Sequence, residues 1–150
     1  MKQGPDTQKL EDMMRSSKLV DGGFMGNDRR TINEVIDADA KVLEKLDYDV
    51  KHLARRMQEI TDLAIKGLGT WVQVDENLVS KVDEAKGALV CPWPHAGNFA
   101  KRVTVLKNEI SGQSICWSDL VIHMIGEHGF FEGKGSRLRV EPEKLTEMIL

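Results

Sequence analysis

The sequence predicts an α+β protein, in which an antiparallel helical hairpin packs with a small antiparallel sheet and a zinc-finger-like module. Three observations support this class. Apolar residues recur at helical spacing between positions 28 and 69. From position 70 onward, short runs rich in β-branched residues alternate with turn residues, which is typical of strands. Both cysteines and three of the four histidines fall between positions 91 and 128, which indicates a metal module.

The composition is that of an ordinary globular domain. The chain has 150 residues and a net charge of −3, with 21 basic and 24 acidic residues. A nucleic-acid partner is not expected, because such binders usually carry a basic excess or a basic block. No apolar run approaches the roughly 20 residues of a membrane span, and the N-terminus has no continuous apolar core of a signal peptide. We therefore expect a cytoplasmic protein whose two cysteines are free thiols, metal ligands or nucleophiles.

Residues 28–69 are predicted to form the helical hairpin. Thr31 and Glu34 fit a capping box, and Asp49 supplies the cap of a second helix after a short turn. Each helix carries one apolar stripe. The hairpin would thus present one apolar face, which could serve as the contact surface of a homodimer.

Residues 1–27 are predicted to be weakly ordered, because glycines and a proline interrupt any periodicity. Positions 10–14 could form one or two helical turns, and Phe24 and Met25 are expected to dock on the body of the protein. The chain then divides into three segments: 1–27, 28–69, and an α+β body at 70–150 that contains the metal module at 89–133.

The body is predicted to hold the sheet and two short helices. Strands are expected at positions 70–74, 77–90, 101–106, 113–117 and 137–140. Gly87 would form a kink or bulge inside the second of these strands. Ser118 is expected to cap a helix that ends near Gly129, and Pro142 is expected to begin the last helix.

The candidate zinc ligands are Cys91, His95, His123 and His128. Structural zinc sites pair two ligands from a tight turn with two from a helix, and the prolines of the CPWPH segment make such a turn stiff. Residues five apart on a regular helix point about 140° apart. Both helical histidines would therefore reach one ion only if the helix tightens or ends between them, which Gly126 and Gly129 are expected to permit.

Neighbouring reactive residues are assigned other roles. Asp119 lies four residues before His123 on the same helical face, so its carboxylate is expected to hold that imidazole by a hydrogen bond. Cys116 is the competing ligand, but its place in a predicted strand indicates a buried free thiol. His52 is expected to be a surface histidine. A packing role for the cysteine and histidine pairs remains the alternative to metal binding.

Two enzymatic alternatives use the same side chains. In the first, Cys91 and the two helical histidines would bind a catalytic metal, with His95 or Glu127 as general base. The HExxH motif of metalloproteases is absent, however. In the second, Cys91 would form a nucleophilic pair with His123 or His128, although the sequence contains none of the local signatures of such enzymes.

Three segments, DLVIHMIGEHGFFEGKGSRLRVEPEKL, ALVCPWPHAG and GNDRRTINEVIDAD, carry a resemblance to known proteins. The chain resembles a small family of uncharacterised bacterial proteins, often labelled only as cytosolic proteins. In that family a CPxPH or CPxxC knuckle precedes a DLxIHxIxEHGFF segment. The resemblance covers most of the chain, from about Gly22 onward. It implies a cytosolic bacterial source and no established activity, so it transfers no catalytic residues.

The leading hypothesis from the sequence is a zinc-stabilised cytosolic binding or regulatory protein, in which a structural metal supports an otherwise thin core. Its partner would be a protein or a small molecule. One alternative is a metal-dependent hydrolase that uses the same cysteine and histidine cluster. The other is an oligomerisation protein built on the helical hairpin, without metal.

Overall fold

The structure is a computed structural model that describes residues 5–16, 23–93 and 97–149. This part of the chain contains five helices and four strands, which confirms the predicted α+β class. The helices are α1 (Pro5–Arg15), α2 (Ile32–Leu46), α3 (Val50–Ile65), α4 (Asp119–His128) and α5 (Pro142–Ile149). The strands are β1 (Val72–Asp75), β2 (Leu78–Val90), β3 (Asn98–Asn108) and β4 (Ser114–Ser118). Among these described helices, none combines the length and apolar character needed to cross a membrane.

The helix ends follow the local signals of the sequence. The Thr31 hydroxyl accepts a hydrogen bond from the Glu34 amide, and the Glu34 carboxylate accepts one from the Thr31 amide, so the capping box is complete. The Asp49 carboxylate caps α3 by accepting hydrogen bonds from the Lys51 and His52 amides, and the Ser118 hydroxyl caps α4 by accepting one from the Val121 amide. Gly129 ends α4 in the left-handed conformation. The predicted N-caps of α2, α3 and α4 and the predicted end of α4 are therefore confirmed.

The sheet is a simple antiparallel meander in the order β1-β2-β3-β4. β4 pairs with β3 only from Val103 to Lys107, and β1 pairs with β2 only up to Ser80. The long strands β2 and β3 therefore continue beyond their neighbours as a two-stranded ribbon. A bulge interrupts this ribbon where Gly87 takes a φ of +102°, as predicted.

The core lies between the sheet and the layer of α3 and α4, which pack on β2 and β3. Trp117 of β4 is fully buried there, and its indole nitrogen donates a hydrogen bond of 2.9 Å to the Thr61 hydroxyl of α3. The Thr61 hydroxyl in turn lies 3.0 Å from the hydroxyl of Thr104 on β3. This buried polar chain fixes α3 against two strands of the sheet.

The two helices of the predicted hairpin do not pack side by side. Instead, α3 packs mainly on α4 and β2, whereas α2 packs on α5. The apolar stripes themselves are buried as expected, with Leu53, Met57 and Ile60 fully inaccessible. Helical periodicity predicts that a face is buried but not which element covers it. Here each stripe is covered by an element that follows later in the chain.

The N-terminal segment is tied to the body. α1 is longer than the one or two turns expected at positions 10–14, and its Met14 is fully buried. Phe24 and Met25 are also buried, as predicted. The Phe24 carbonyl accepts a hydrogen bond of 2.9 Å from the Gly133 amide, so this loop packs on the segment that follows α4.

Residues 137–140 do not form the predicted strand. They run through a turn in which the Arg139 amide donates to the Ser136 carbonyl. The guanidinium of Arg139 is buried and makes two hydrogen bonds of 2.9 Å to Asp39 of α2, and it also pairs with Glu141. The segment is therefore shaped by a buried ion pair, and no neighbouring strand supplies a ladder of backbone hydrogen bonds.

Candidate metal centre

Cys91, His123 and His128 come together in the folded protein. One ligand atom from each side chain lies within 4.8 Å of the other two. The Cys91 sulfur is 3.6 Å from Nε2 of His128. Cys91 directly follows β2, at the end of the ribbon, while both histidines lie on α4. The site therefore joins the end of the ribbon to the middle and the C-terminal end of one helix.

α4 brings both histidines to the site without a break. The helix is α-helical from Asp119 to His128, so the distortion predicted between the histidines does not occur. The centroids of the two imidazole rings nevertheless lie 5.3 Å apart, with 81° between the ring planes. Gly126 has a different role: an added Cβ would lie 3.0 Å from the Cβ of Ala54. Its absence lets α4 approach α3 closely.

Aromatic rings enclose the cluster. Trp93 stacks on His128 with ring centroids 4.1 Å apart, and its indole meets the edge of Phe130 at 5.6 Å. Phe99 of β3 lies 4.5 Å from the ring of His123. All three aromatic residues lie close in sequence to the candidate ligands, but the pairing of their rings with the histidines depends on the fold. Their effect is to restrict water access and ring motion at the site.

Burial raises the pKa of the Cys91 thiol, opposed in part by a hydrogen bond from the Trp93 backbone. The side chain is 6% exposed. In the absence of a cation, such a thiol stays protonated. A metal ion reverses this preference, because the thiolate is the form that binds it. The fourth predicted ligand, His95, lies outside the described residues.

Asp119 does not have the predicted partner. Its Oδ2 accepts a hydrogen bond of 2.7 Å from Arg102 of β3, which also donates to Glu84 of β2 at 2.7 Å. Among the described residues, Oδ1 of Asp119 has no hydrogen-bond partner, so the carboxylate does not hold His123. Asp119 is the first residue of α4 and lies beside the sheet, where the long Arg102 side chain reaches it first. Burial raises the pKa of Asp119, and Arg102 opposes that shift.

Glu127 forms an ion pair at the surface. Its carboxylate is 57% exposed and accepts a hydrogen bond of 3.0 Å from Lys51 of α3, which lowers its pKa. An exposed, ion-paired carboxylate with a lowered pKa is a poor general base. The role that the hydrolase alternative gave to this residue has no support in this geometry.

Cys116 is separate from the cluster. It lies on β4 next to Trp117, and side chains alternate between faces along a strand, so it points away from the helical layer. Its side chain is partly buried, and burial raises the pKa of its thiol. The sequence predicts a buried free thiol at this position, and the observed thiol is free but only partly buried. The cavity that Cys116 lines was not predicted. The position of Cys116 next to a buried tryptophan on a strand nevertheless indicates that its side chain lies on the opposite face of the sheet from that tryptophan.

Comparisons with known proteins return no match, whether with protein-family models, with curated proteins or with solved structures.

Proposed function

We propose that this chain is a zinc-stabilised cytoplasmic binding or regulatory protein, in which Cys91, His123 and His128 bind the ion. The observation that carries the proposal is the 3.6 Å separation of the Cys91 sulfur and Nε2 of His128. With bonds of about 2.3 Å to sulfur and about 2.0 Å to nitrogen, a tetrahedral zinc ion separates these ligand atoms by about 3.5 Å. The two side chains thus stand at the spacing that one shared ion requires.

The donor set favours zinc over hard cations. One thiolate and two imidazoles are borderline-soft ligands, which suit zinc, whereas magnesium and calcium prefer carboxylate and carbonyl oxygens. The cluster contains no carboxylate among the described residues that could supply such oxygens.

A structural role for the ion follows from what the ligands join. Cys91 is at the end of a ribbon that extends beyond the rest of the sheet, and His123 and His128 are on a helix packed in the core. An ion bound between them would fix the ribbon to the helix, and its binding free energy would add to the stability of the fold. A fourth ligand from His95, as the sequence predicts, would close the coordination sphere.

The two alternatives have less support. Of the two general bases named for the hydrolase, Glu127 is instead paired with Lys51 at the surface, and His95 lies outside the described residues. The oligomerisation protein needs an exposed apolar face on α2 and α3, yet Leu53, Met57 and Ile60 are buried inside the chain.

Metal content measured by mass spectrometry tests the proposal. We expect about one zinc ion per chain in the wild type, and a loss of at least tenfold in zinc affinity in Cys91→Ser and His123→Ala. The matched controls are Cys116→Ser and His52→Ala, which change the same residue types outside the cluster and should keep the metal. A wild type without stoichiometric zinc, or controls that lose the metal equally, would contradict the proposal.

The role of the ion is tested by its removal. Chelation of a structural zinc ion should lower Tm markedly, because a ligand present at 100 times its Kd contributes about 2.7 kcal/mol of stability. X-ray absorption at the zinc edge would identify the fourth ligand, and His95→Ala would show whether that imidazole supplies it. If the fold survives zinc removal and the fourth ligand is water, these results would support the metal-dependent hydrolase instead.

A further inference from the structure

A cavity of about 630 Å³ lies where the sheet meets the segment that follows α4. Its floor is formed by β2, β3 and β4, and the segment that follows α4 forms a wall. This volume falls within the roughly 300–1,000 Å³ typical of small-molecule sites. Apolar side chains, among them Phe24 and Leu89, line part of it.

Two of the cations that line this cavity have no partner among the described residues. Three basic residues line the cavity, and Arg102 is already paired with Glu84 and Asp119. Lys101 and Arg137 make no hydrogen bond or ion pair with any residue in the described part of the chain. Two unpaired cations beside an apolar surface are the arrangement that recognises an anionic group attached to an apolar body.

A buried acid is held at the same wall under backbone strain. Glu132 takes a left-handed φ of +69°, which is rare for a residue other than glycine, asparagine or aspartate, and is only 3% exposed. Its carboxyl group is hydrogen-bonded by the Ser136 hydroxyl, and its carbonyl accepts a bond of 2.6 Å from Arg139. Strain that the surrounding structure enforces in this way is concentrated at binding and catalytic sites.

We propose that this cavity binds a small organic anion, whose charged group is held by Lys101 and Arg137 and whose apolar body lies against Phe24 and Leu89. Glu132 would contribute a hydrogen bond to a polar group of the ligand. The inference gives a ligand class to the binding protein proposed above, but it uses none of the zinc ligands. The two proposals can therefore fail separately.

Binding of 8-anilinonaphthalene-1-sulfonate, an aromatic sulfonate, tests the proposal by fluorescence and calorimetry. We expect one saturable site, about tenfold weaker binding in Lys101→Ala and in Arg137→Ala, and tighter binding in Asp83→Asn, which removes an opposing charge from the cavity wall. Lys107→Ala is the matched control, since Lys107 lies on the same strand and face as Lys101 but outside the cavity. Equal affinity across these variants would overturn the proposal.

A neutral probe and a small anion test separately how much the apolar body and the charged group of the ligand contribute to binding. N-phenyl-1-naphthylamine has the same aromatic body without the sulfonate, so its affinity should be weaker and unchanged by Arg137→Ala. Inorganic phosphate at millimolar concentration should not displace the sulfonate probe, because it has no apolar body. Full displacement by phosphate, or equal affinity for the neutral probe, would overturn the assignment.

The position of the probe is read from Cys116, which lines the cavity. Wild-type protein is alkylated with iodoacetamide, and mass spectrometry of its peptides measures Cys116 and Cys91 separately. The bound probe should slow alkylation of Cys116 several-fold and leave Cys91 unchanged. No protection of Cys116 would place the probe elsewhere and contradict the proposal.

Discussion

Trp93 lies flat against the imidazole of His128, with ring centroids 4.1 Å apart and 8° between the ring planes. The same indole meets Phe130 edge-on, with ring centroids 5.6 Å apart, so it is itself packed in place. A stacked ring that is itself packed limits the rotation of the histidine. The imidazole is thereby presented to the Cys91 sulfur before any ion binds, which lowers the entropic cost of metal binding.

Trp93→Ala should weaken zinc binding about two- to tenfold, because aromatic pairs of this kind contribute about 0.5–1.5 kcal/mol. Trp93→Phe should retain most of the affinity, since a ring remains for stacking. Competition with a chromophoric zinc chelator gives the affinities. Trp71→Ala is the control, because Trp71 is 45% exposed and contacts Lys81 instead. Zinc affinity that is equal in all four proteins would show that the stack has no part in the site.

The pair of Arg139 and Asp39 should be the most costly ion pair to break. Each side chain is only 6% exposed, and the two residues are 100 positions apart in the chain. Asp39→Asn should lower the free energy of unfolding by about 3–5 kcal/mol, because the buried guanidinium loses its main counter-charge. Urea denaturation measures this. Lys51→Ala, which breaks the exposed pair with Glu127, should leave stability unchanged within error; a similar loss in both variants would contradict the argument.

The Thr61 hydroxyl should matter more than the Thr104 hydroxyl. Thr61→Val removes the acceptor of the Trp117 indole and the partner of Thr104, so two buried groups lose a hydrogen bond. Thr104→Val removes only one. We expect a loss of about 1–3 kcal/mol for Thr61→Val and a smaller loss for Thr104→Val. Thermal unfolding of the two variants measures which loses more stability. A larger loss in Thr104→Val would show that the Thr61 hydroxyl is not the centre of this network.

Local features of the fold could be predicted because their causes lie within a few residues. Thr31, Asp49 and Ser118 cap helices with their own side chains, and Gly87 takes a conformation open to glycine at the bulge. Part of the candidate site could be predicted from the sequence for the same reason. The sequence places His123 and His128 on one helix, whereas their convergence in an unbroken helix and their meeting with Cys91 depend on the fold.

The other features depend on contacts that are distant in sequence. Residues 137–140 alternate like a strand, but Arg139 is drawn to Asp39 on α2, and the segment turns to meet it. Asp119 has the right spacing to hold His123, yet Arg102 from β3 takes its carboxylate. In each case an ion pair with a residue that is distant in sequence is more favourable than the expected local contact. The spacing of residues in the sequence contains no information about that distant partner.

Glu132 should make the protein less stable as the pH rises from 5 to 8. Burial raises the pKa of this carboxyl from 4.5 to about 7, against the opposing effects of Ser136 and Arg139. Between these values the folded protein binds the proton more tightly than the unfolded chain, so stability falls as the pH rises through this window, by at most about 3 kcal/mol. Glu132→Gln should remove that part of the pH dependence.

Urea denaturation at pH 5 and pH 8 measures the difference between the wild type and this variant. Glu141→Gln is the control: Arg139 lowers the pKa of Glu141, so its contribution is complete above 4.5 and is lost only as the pH falls below that value. The control should therefore change stability equally at pH 5 and pH 8. A wild type and Glu132→Gln with the same pH dependence would mean that the carboxyl is ionised throughout this range, and the hydrogen bond from Ser136 would then be stronger than the cost of burial.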